Sequence, residues 1–312
     1  MTILETLAPI FILIAVGAAL SRLQFLGREF MADLNRLVFW VAMPALLFHS
    51  ASRAAGASAQ TWWLVGVLLA ATLLIALIAW IASLALGIPP AGRGTLVQAA
   101  FRGNLAFIGV PVIAATFPAG PAGLVNPSLT TAVIAMTLTM AFYNALAILV
   151  LQASRSAEHP PNAGLLVREV VTNPLLVAGL LGLTVGFLGL TVPRFLDRTL
   201  ETLAGAAVPL ALLGVGSSLV TVRMAARRSW IGWAAALKVT VVPAIVLVLA
   251  WTVGLGPVER RIALVFGACP TATAAYIMAR QMDGDEALAS GSVALSTVLS
   301  LASLTAALWF TR

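Results

Sequence analysis

The chain has 312 residues, 61% of them hydrophobic and 9% charged, with a mean hydropathy of +1.04 and a formal charge of +7. A soluble domain is about 45–50% apolar and about 25% charged, so the composition excludes an ordinary soluble domain and points to a protein of the lipid bilayer. Its Lys and Arg residues stand singly between apolar runs, which argues against nucleic acid as a partner; a single cysteine, Cys269, and two histidines, His49 and His159, exclude an internal disulfide and leave no metal site or cofactor to expect.

A spanning helix needs about 20 mostly apolar residues, and ten such segments are expected. The first, 4–21, contains Pro9 and Gly17 and lacks a basic leader region and a cleavage site, so it reads as a retained helix. The second, 34–52, contains Pro44, with His49 near its outer end as an interfacial or proton-carrying residue. The third, 61–87, is apolar, whereas the fourth, 94–118, is interrupted by FRGNLAFIGVP, which puts Arg102, Gly103, Asn104, Gly109 and Pro111 into an apolar run. The fifth, 127–152, carries Tyr143 and Asn144, either glue between helices or candidates for charge balance and coupling.

The longest connection, QASRSAEHPPNAGLLVRE, falls at the midpoint of the chain and reads as an aqueous loop. The remaining segments are 169–190, 199–221, 229–254, 260–281 and 286–310; the eighth contains Lys238 and the ninth contains GACPTATAAY, Gly267 to Tyr276. Features recur at an offset of 165 residues: Pro9 and Gly17 at Pro174 and Gly182, Pro44 at Pro209, Phe101 at Phe266. The expected architecture is an all-α integral membrane protein of two five-helix repeats, 1–152 and 169–312, joined by a cytoplasmic loop at 153–168. With an odd number of spans per copy, the second copy is inverted. Nine arginines (22, 28, 93, 155, 168, 223, 227, 228, 280) against six (53, 194, 198, 260, 261, 312) favour both termini outside.

Gly and Pro weaken a helix interior, and non-helical backbone at bilayer depth survives only where protein or a cavity surrounds it. Two breaks at related positions, in the fourth and ninth segments, predict one shared site near the midplane, where half-helix N-termini favour an anion and half-helix C-termini leave carbonyls free. The candidate contacts are Arg102, Gly103, Asn104, Gly109 and Pro111 from the fourth segment and Cys269, Pro270, Thr271, Thr273 and Tyr276 from the ninth. Asn104 and the hydroxyls can instead repair the interrupted backbone, and Cys269 can simply fill space. The acidic residues all fall at helix ends or in loops, so Arg102 and Lys238 have no core carboxylate to pair with. Either the two cations balance an anionic substrate or they cap half-helix carbonyls, and both readings are open. No phosphate-binding loop, dinucleotide motif, His-Glu-x-x-His or Ser/His/Asp set occurs, so no enzyme is expected.

RGNLAFIGVP at 102–111 and ACPTATAAYIMARQMDGDEALASGSVALSTVLSL at 268–301 resemble the auxin efflux carrier family, most specifically through Asn104-x-x-Phe107-x-Gly109-x-Pro111 and then through Pro270-x-Ala272 and the Ala279, Asp285, Ala289, Ser290 pattern. That resemblance implies helices four and nine crossing at their breaks, with Asn104, Pro111 and Pro270 at the crossover. It also implies a scaffold of helices 1, 2, 6 and 7 that forms a homodimer, a moving transport domain of helices 3–5 and 8–10, and a place in a bacterial cytoplasmic membrane. The plant members' second Asn has no counterpart beside the second break, where Thr271 and Thr273 stand. The function expected is a secondary carrier of small organic anions working by an elevator movement; a sodium-coupled or neutral- or cationic-solute carrier and a non-transporting receptor or scaffold are the alternatives.

Overall fold

The structure, a computed structural model, describes residues 3–54, 57–117, 127–154, 164, 168, 171–221 and 228–311. Arg155, His159, Arg223, Arg227 and Arg312, and most of the loop expected at 153–168, lie outside the described residues. The helices are α1 (Ile3–Arg22), α2 (Arg28–Leu37), α3 (Met43–Ala51), α4 (Ala59–Ala85), α5 (Pro90–Phe101), α6 (Val110–Thr116), α7 (Pro127–Ala153), α8 (Pro174–Phe187), α9 (Arg194–Thr221), α10 (Arg228–Ala236), α11 (Val242–Thr252), α12 (Pro257–Ala268), α13 (Ala274–Gln281) and α14 (Glu286–Trp309). Among the described residues the only extended pairing is one isolated bridge, between Gly103 and Thr271.

Among the described residues seven stretches are long and apolar enough to cross a bilayer: Glu5–Arg22, Glu29–Ala51, Ala59–Ala85, Pro127–Ala153, Arg194–Val220, Arg228–Thr252 and Glu286–Trp309. They coincide with seven of the ten expected segments. The fourth is divided into α5 and α6 and the ninth into α12 and α13, while α8, within the sixth, has 14 residues. The membrane-facing character is visible on α4, where Leu73, Leu77, Ile81 and Leu84 form an exposed apolar stripe at helical spacing.

Three prolines follow a widened turn, whereas Pro9 and Pro209 stand inside continuous α-helices. Five-residue π turns at Val38–Ala42, Leu105–Gly109 and Leu237–Val241 each end two residues before a proline, respectively Pro44, Pro111 and Pro243. Proline has no N–H to donate and its ring crowds the preceding turn, and a local widening accommodates both. Lys238 stands on the widened turn ahead of Pro243.

One compact unit comprises Met1–Trp62, Ala106–Leu138 and Val170–Thr221. Within it α1 packs on α9 and α3 on α8, at distances that only glycine allows. A methyl at Gly17 would stand 2.1 Å from the Leu213 carbonyl oxygen, and one at Gly182 would stand 2.8 Å from that of Phe48. Such close backbone approach is how membrane helices gain dispersion contacts when burial from water supplies none. The second unit comprises Trp63–Leu105, Thr139–Glu169 and Val222–Arg312. There α12 lies against α11 and α14, and α5 against α10 and α14, around a core that includes Phe101 and Phe266, each 1% exposed.

Candidate functional site

In the second unit the fourth and the ninth segments each leave helical geometry part-way along. On the ninth segment the cause is local: Pro270 drives the preceding residue out of the α region, and Cys269, at φ −58° and ψ 142°, ends α12. On the fourth segment α5 ends where Arg102 turns extended, at φ −75° and ψ 93°, ahead of Gly103. The two freed strands of backbone then satisfy each other. Asn104 N–H donates to the Pro270 carbonyl at 2.8 Å and Ala272 N–H to the Arg102 carbonyl at 2.8 Å, flanking the Gly103–Thr271 bridge. Buried main-chain groups require partners, and here each break supplies those of the other.

The half-helix C-termini are capped by side chains. Thr271 Oγ1 donates to the Ala99 carbonyl of α5 at 2.8 Å, Lys238 Nζ to the Gly267 carbonyl of α12 at 3.2 Å, and Cys269 Sγ to the Val265 carbonyl at 3.2 Å. Thr271 N–H donates to Ser296 Oγ on α14 at 3.0 Å, and Gln98 Nε2 to the Ala275 carbonyl at 2.8 Å. A methyl on Gly103 would come within 3.3 Å of Lys238 Nζ, so the small residue lets the ammonium sit against both breaks. Lys238 is 0% exposed, and among the described residues it has no carboxylate within 4.0 Å.

Arg102 lies on the extended segment with 6% exposure. Its Nη2 donates to Asn144 Oδ1 on α7, and its Nη1 points to Met278 Sδ on α13 at 3.2 Å. Tyr143 is buried with its ring centroid 5.7 Å from that of Phe101 and its hydroxyl beside Thr72 and the Gly103 backbone. The unit therefore gathers Arg102, Gly103, Asn104, Tyr143, Asn144, Lys238, Cys269, Pro270 and Thr271 around one crossing. Two cations stand close to a main-chain crossing that is buried on both sides, an arrangement suited to holding a small anion by charge-assisted hydrogen bonds.

Gly109 and Pro111 fall in the first unit, and the fourth segment is interrupted at Arg102–Asn104, ahead of both: Gly109 is in αR geometry and Pro111 in the first turn of α6, where its missing N–H costs little. Thr273 is exposed, and the Tyr276 hydroxyl donates to Glu286 Oε2 at 3.2 Å. His49, also in the first unit, joins Arg53 and Asp197: Arg53 Nη2 donates to Asp197 Oδ2 at 2.7 Å, and His49 Nε2 is 3.5 Å from Asp197 Oδ1. Because Arg53 Nη1, 3.2 Å from His49 Nδ1, can only donate, Nδ1 accepts and the neutral ring carries its proton on Nε2, facing the carboxylate. Among the described residues no group of three or more His, Cys, Asp or Glu stands together to hold a metal.

Gln98, Met278 and Ser296 are partners that sequence reasoning missed. Gln98, a long amide inside an apolar run four residues before Arg102, was the available signal; Met278 and Ser296 are ordinary helix residues without one. Asp285, noted only as part of a pattern, has a physical role: its carboxylate caps α14 at Leu288 N–H, 3.0 Å, and its own N–H reaches the Ala91 carbonyl at 3.1 Å, tying α14 to the start of α5.

Residues 2–309 match the family model described as membrane transport protein. A protein of Methanothermobacter thermautotrophicus that carries the name "uncharacterized transporter" is 29% identical over 302 residues, covering 96% of this chain and 95% of its own. One of Rhizobium meliloti named "Putative malonate transporter" is 26% identical over 318 residues, covering 97% and 94%. A third, of Methanocaldococcus jannaschii and also named as an uncharacterized transporter, is 23% identical and covers 98% and 97%.

Proposed function

The chain belongs to the membrane transport protein family, and from that premise we propose that this multi-pass membrane protein is a secondary carrier of small organic anions, with substrate held at the crossing of the fourth and ninth segments. One observation carries the anion assignment: two buried cations, Arg102 and Lys238, beside a crossing of two interrupted helices. Lys238, with no carboxylate within 4.0 Å among the described residues, is a costly charge in an apolar interior, and an anionic substrate offsets that cost when it binds. The Rhizobium relative's name, "Putative malonate transporter", supports a carboxylate.

We read the chain as ten segments in two inverted repeats. Gly17 meets Leu213 while Gly182 meets Phe48; adding 165 to 17 and to 48 gives 182 and 213, so the second contact is the first with the copies exchanged. The half-helices α5 and α12 support the same reading, each having 12 residues and beginning on a proline preceded by an extended residue. At the crossing itself the exchange runs at 168, because Asn104-to-Pro270 becomes Ala272-to-Arg102. In the elevator reading the unit that contains the crossing moves and α1–α3, α8 and α9 belong to a dimeric scaffold in a bacterial cytoplasmic membrane with both termini outside.

A thermal-shift panel of carboxylates and amines on the purified protein tests the substrate class. Stabilisation by small carboxylates, lost in Asn104→Ala, is the expected result; stabilisation by amines and by no acid would defeat the anion reading. The second reading, a carrier of neutral or cationic solutes, has its own observation, since Lys238 already caps Gly267 and Arg102 is already engaged by Asn144 and Met278.

A further inference from the structure

Asn144 is 1% exposed on α7, and the chemistry of its neighbour fixes how its amide is turned. A guanidinium can only donate, so the atom facing Arg102 Nη2 is the amide oxygen. The amide nitrogen is thereby left out of that contact, and Asn144 Nδ2 is buried with no hydrogen-bond partner among the described residues. A buried donor left unmade costs about 1–3 kcal/mol, and natural interiors rarely keep one without a reason. On the same guanidinium, Nη1 is directed at Met278 Sδ at 3.2 Å, and a thioether is a weak acceptor that a carboxylate oxygen outcompetes.

We propose that Asn144 Nδ2 and Arg102 Nη1 form one carboxylate subsite, whose Nη1 donor is taken in this structure by the Met278 sulfur. The proposal rests on the organic-anion reading and deepens it by naming the donors. One carboxylate oxygen takes Nδ2, the other displaces the sulfur from Nη1, and Met278 swings away. Neither donor is legible as a pair in the sequence, where Arg102, Asn144 and Met278 lie on three different segments.

Malonate is the probe. In the purified full-length protein, malonate binding is measured by calorimetry for the wild type, Asn144→Asp and Met278→Leu. Asn144→Asp preserves shape and the Arg102 contact but replaces the donor by an anionic acceptor, so malonate affinity falls at least about tenfold, in line with a charge-assisted hydrogen bond. Met278→Leu removes the competing acceptor and leaves affinity equal or higher. Independently of how the Asp variant folds, the methyl NMR signal of Met278, identified by its loss in Met278→Leu, shifts on addition of malonate to the wild type. Malonate binding that leaves the Met278 signal unmoved, or that is unchanged in a folded Asn144→Asp, overturns the subsite alone. A wild type that binds neither malonate nor any other carboxylate of the panel, but binds amines, overturns the organic-anion reading and the subsite with it.

Discussion

Replacing Lys238 by methionine separates a resident cation kept for function from one kept for structure. The methionine fills nearly the same volume on the π turn Leu237–Val241, and it removes the ammonium from a position of 0% exposure. Against the change stands the Gly267 carbonyl, which loses the 3.2 Å hydrogen bond from Nζ; an orphaned buried acceptor costs about 1–3 kcal/mol. In its favour stands the relief of holding a cation without a carboxylate, a penalty of several kcal/mol per ion. The balance predicts a variant more stable than the wild type by about 2 kcal/mol, seen as a melting temperature a few degrees higher in ligand-free protein. On the proposed anion reading, carboxylate binding and uptake are expected to fall at the same time, because that reading assigns the ammonium to balance the substrate. Thermal unfolding in nanodiscs followed by tryptophan fluorescence, alongside binding, checks both. A Lys238→Met protein that melts several degrees lower yet binds carboxylates normally would show that Lys238 is a carbonyl cap and nothing more.

Thr271→Val leaves the Ala99 carbonyl without its 2.8 Å donor and is expected to cost about 1–2 kcal/mol, with Thr271→Ser restoring most of the loss in the same unfolding assay. Gly17→Ala and Gly182→Ala each push a methyl into a backbone carbonyl of the facing helix; both are expected to lower the melting temperature, Gly17→Ala more because its methyl would be 2.1 Å from Leu213 O against 2.8 Å from Phe48 O for Gly182. Asp285→Ala removes the α14 cap at about 1 kcal/mol, which hydrogen exchange at the start of α14 reads as lost protection. Asp197→Asn acts on an ion pair whose members are about 30% exposed, so a loss of less than about 1 kcal/mol is expected.

Composition and periodicity made the membrane class legible, and among the described residues seven of the ten expected segments stand as long apolar stretches, five of them with both ends within two residues of the expected ones. The candidate site was legible where a residue's cost announced it. Arg102 and Lys238 stand out because charge is expensive among Leu, Ala and Val, and Pro270 because it stops a helix at the residue before it. Gly109 and Pro111 misled for a physical reason: Gly adopts αR without difficulty and Pro is at ease in a first turn, so neither residue type alone marks the interruption. What the sequence did not carry is pairing. That Thr271 caps Ala99, that Asn144 turns its oxygen to Arg102, and that two extended segments trade main-chain hydrogen bonds depends on which helices meet.

Uptake of labelled malonate into proteoliposomes made with the purified protein tests the central claim most directly, with sodium, pH and voltage gradients imposed in turn. The expected result is saturable uptake that proceeds without sodium, is competed by unlabelled small carboxylates and not by amines, and is lost in Asn144→Asp. Competition by amines with no effect of any carboxylate, or an absolute requirement for sodium, would contradict a carrier whose own buried cations balance an organic anion.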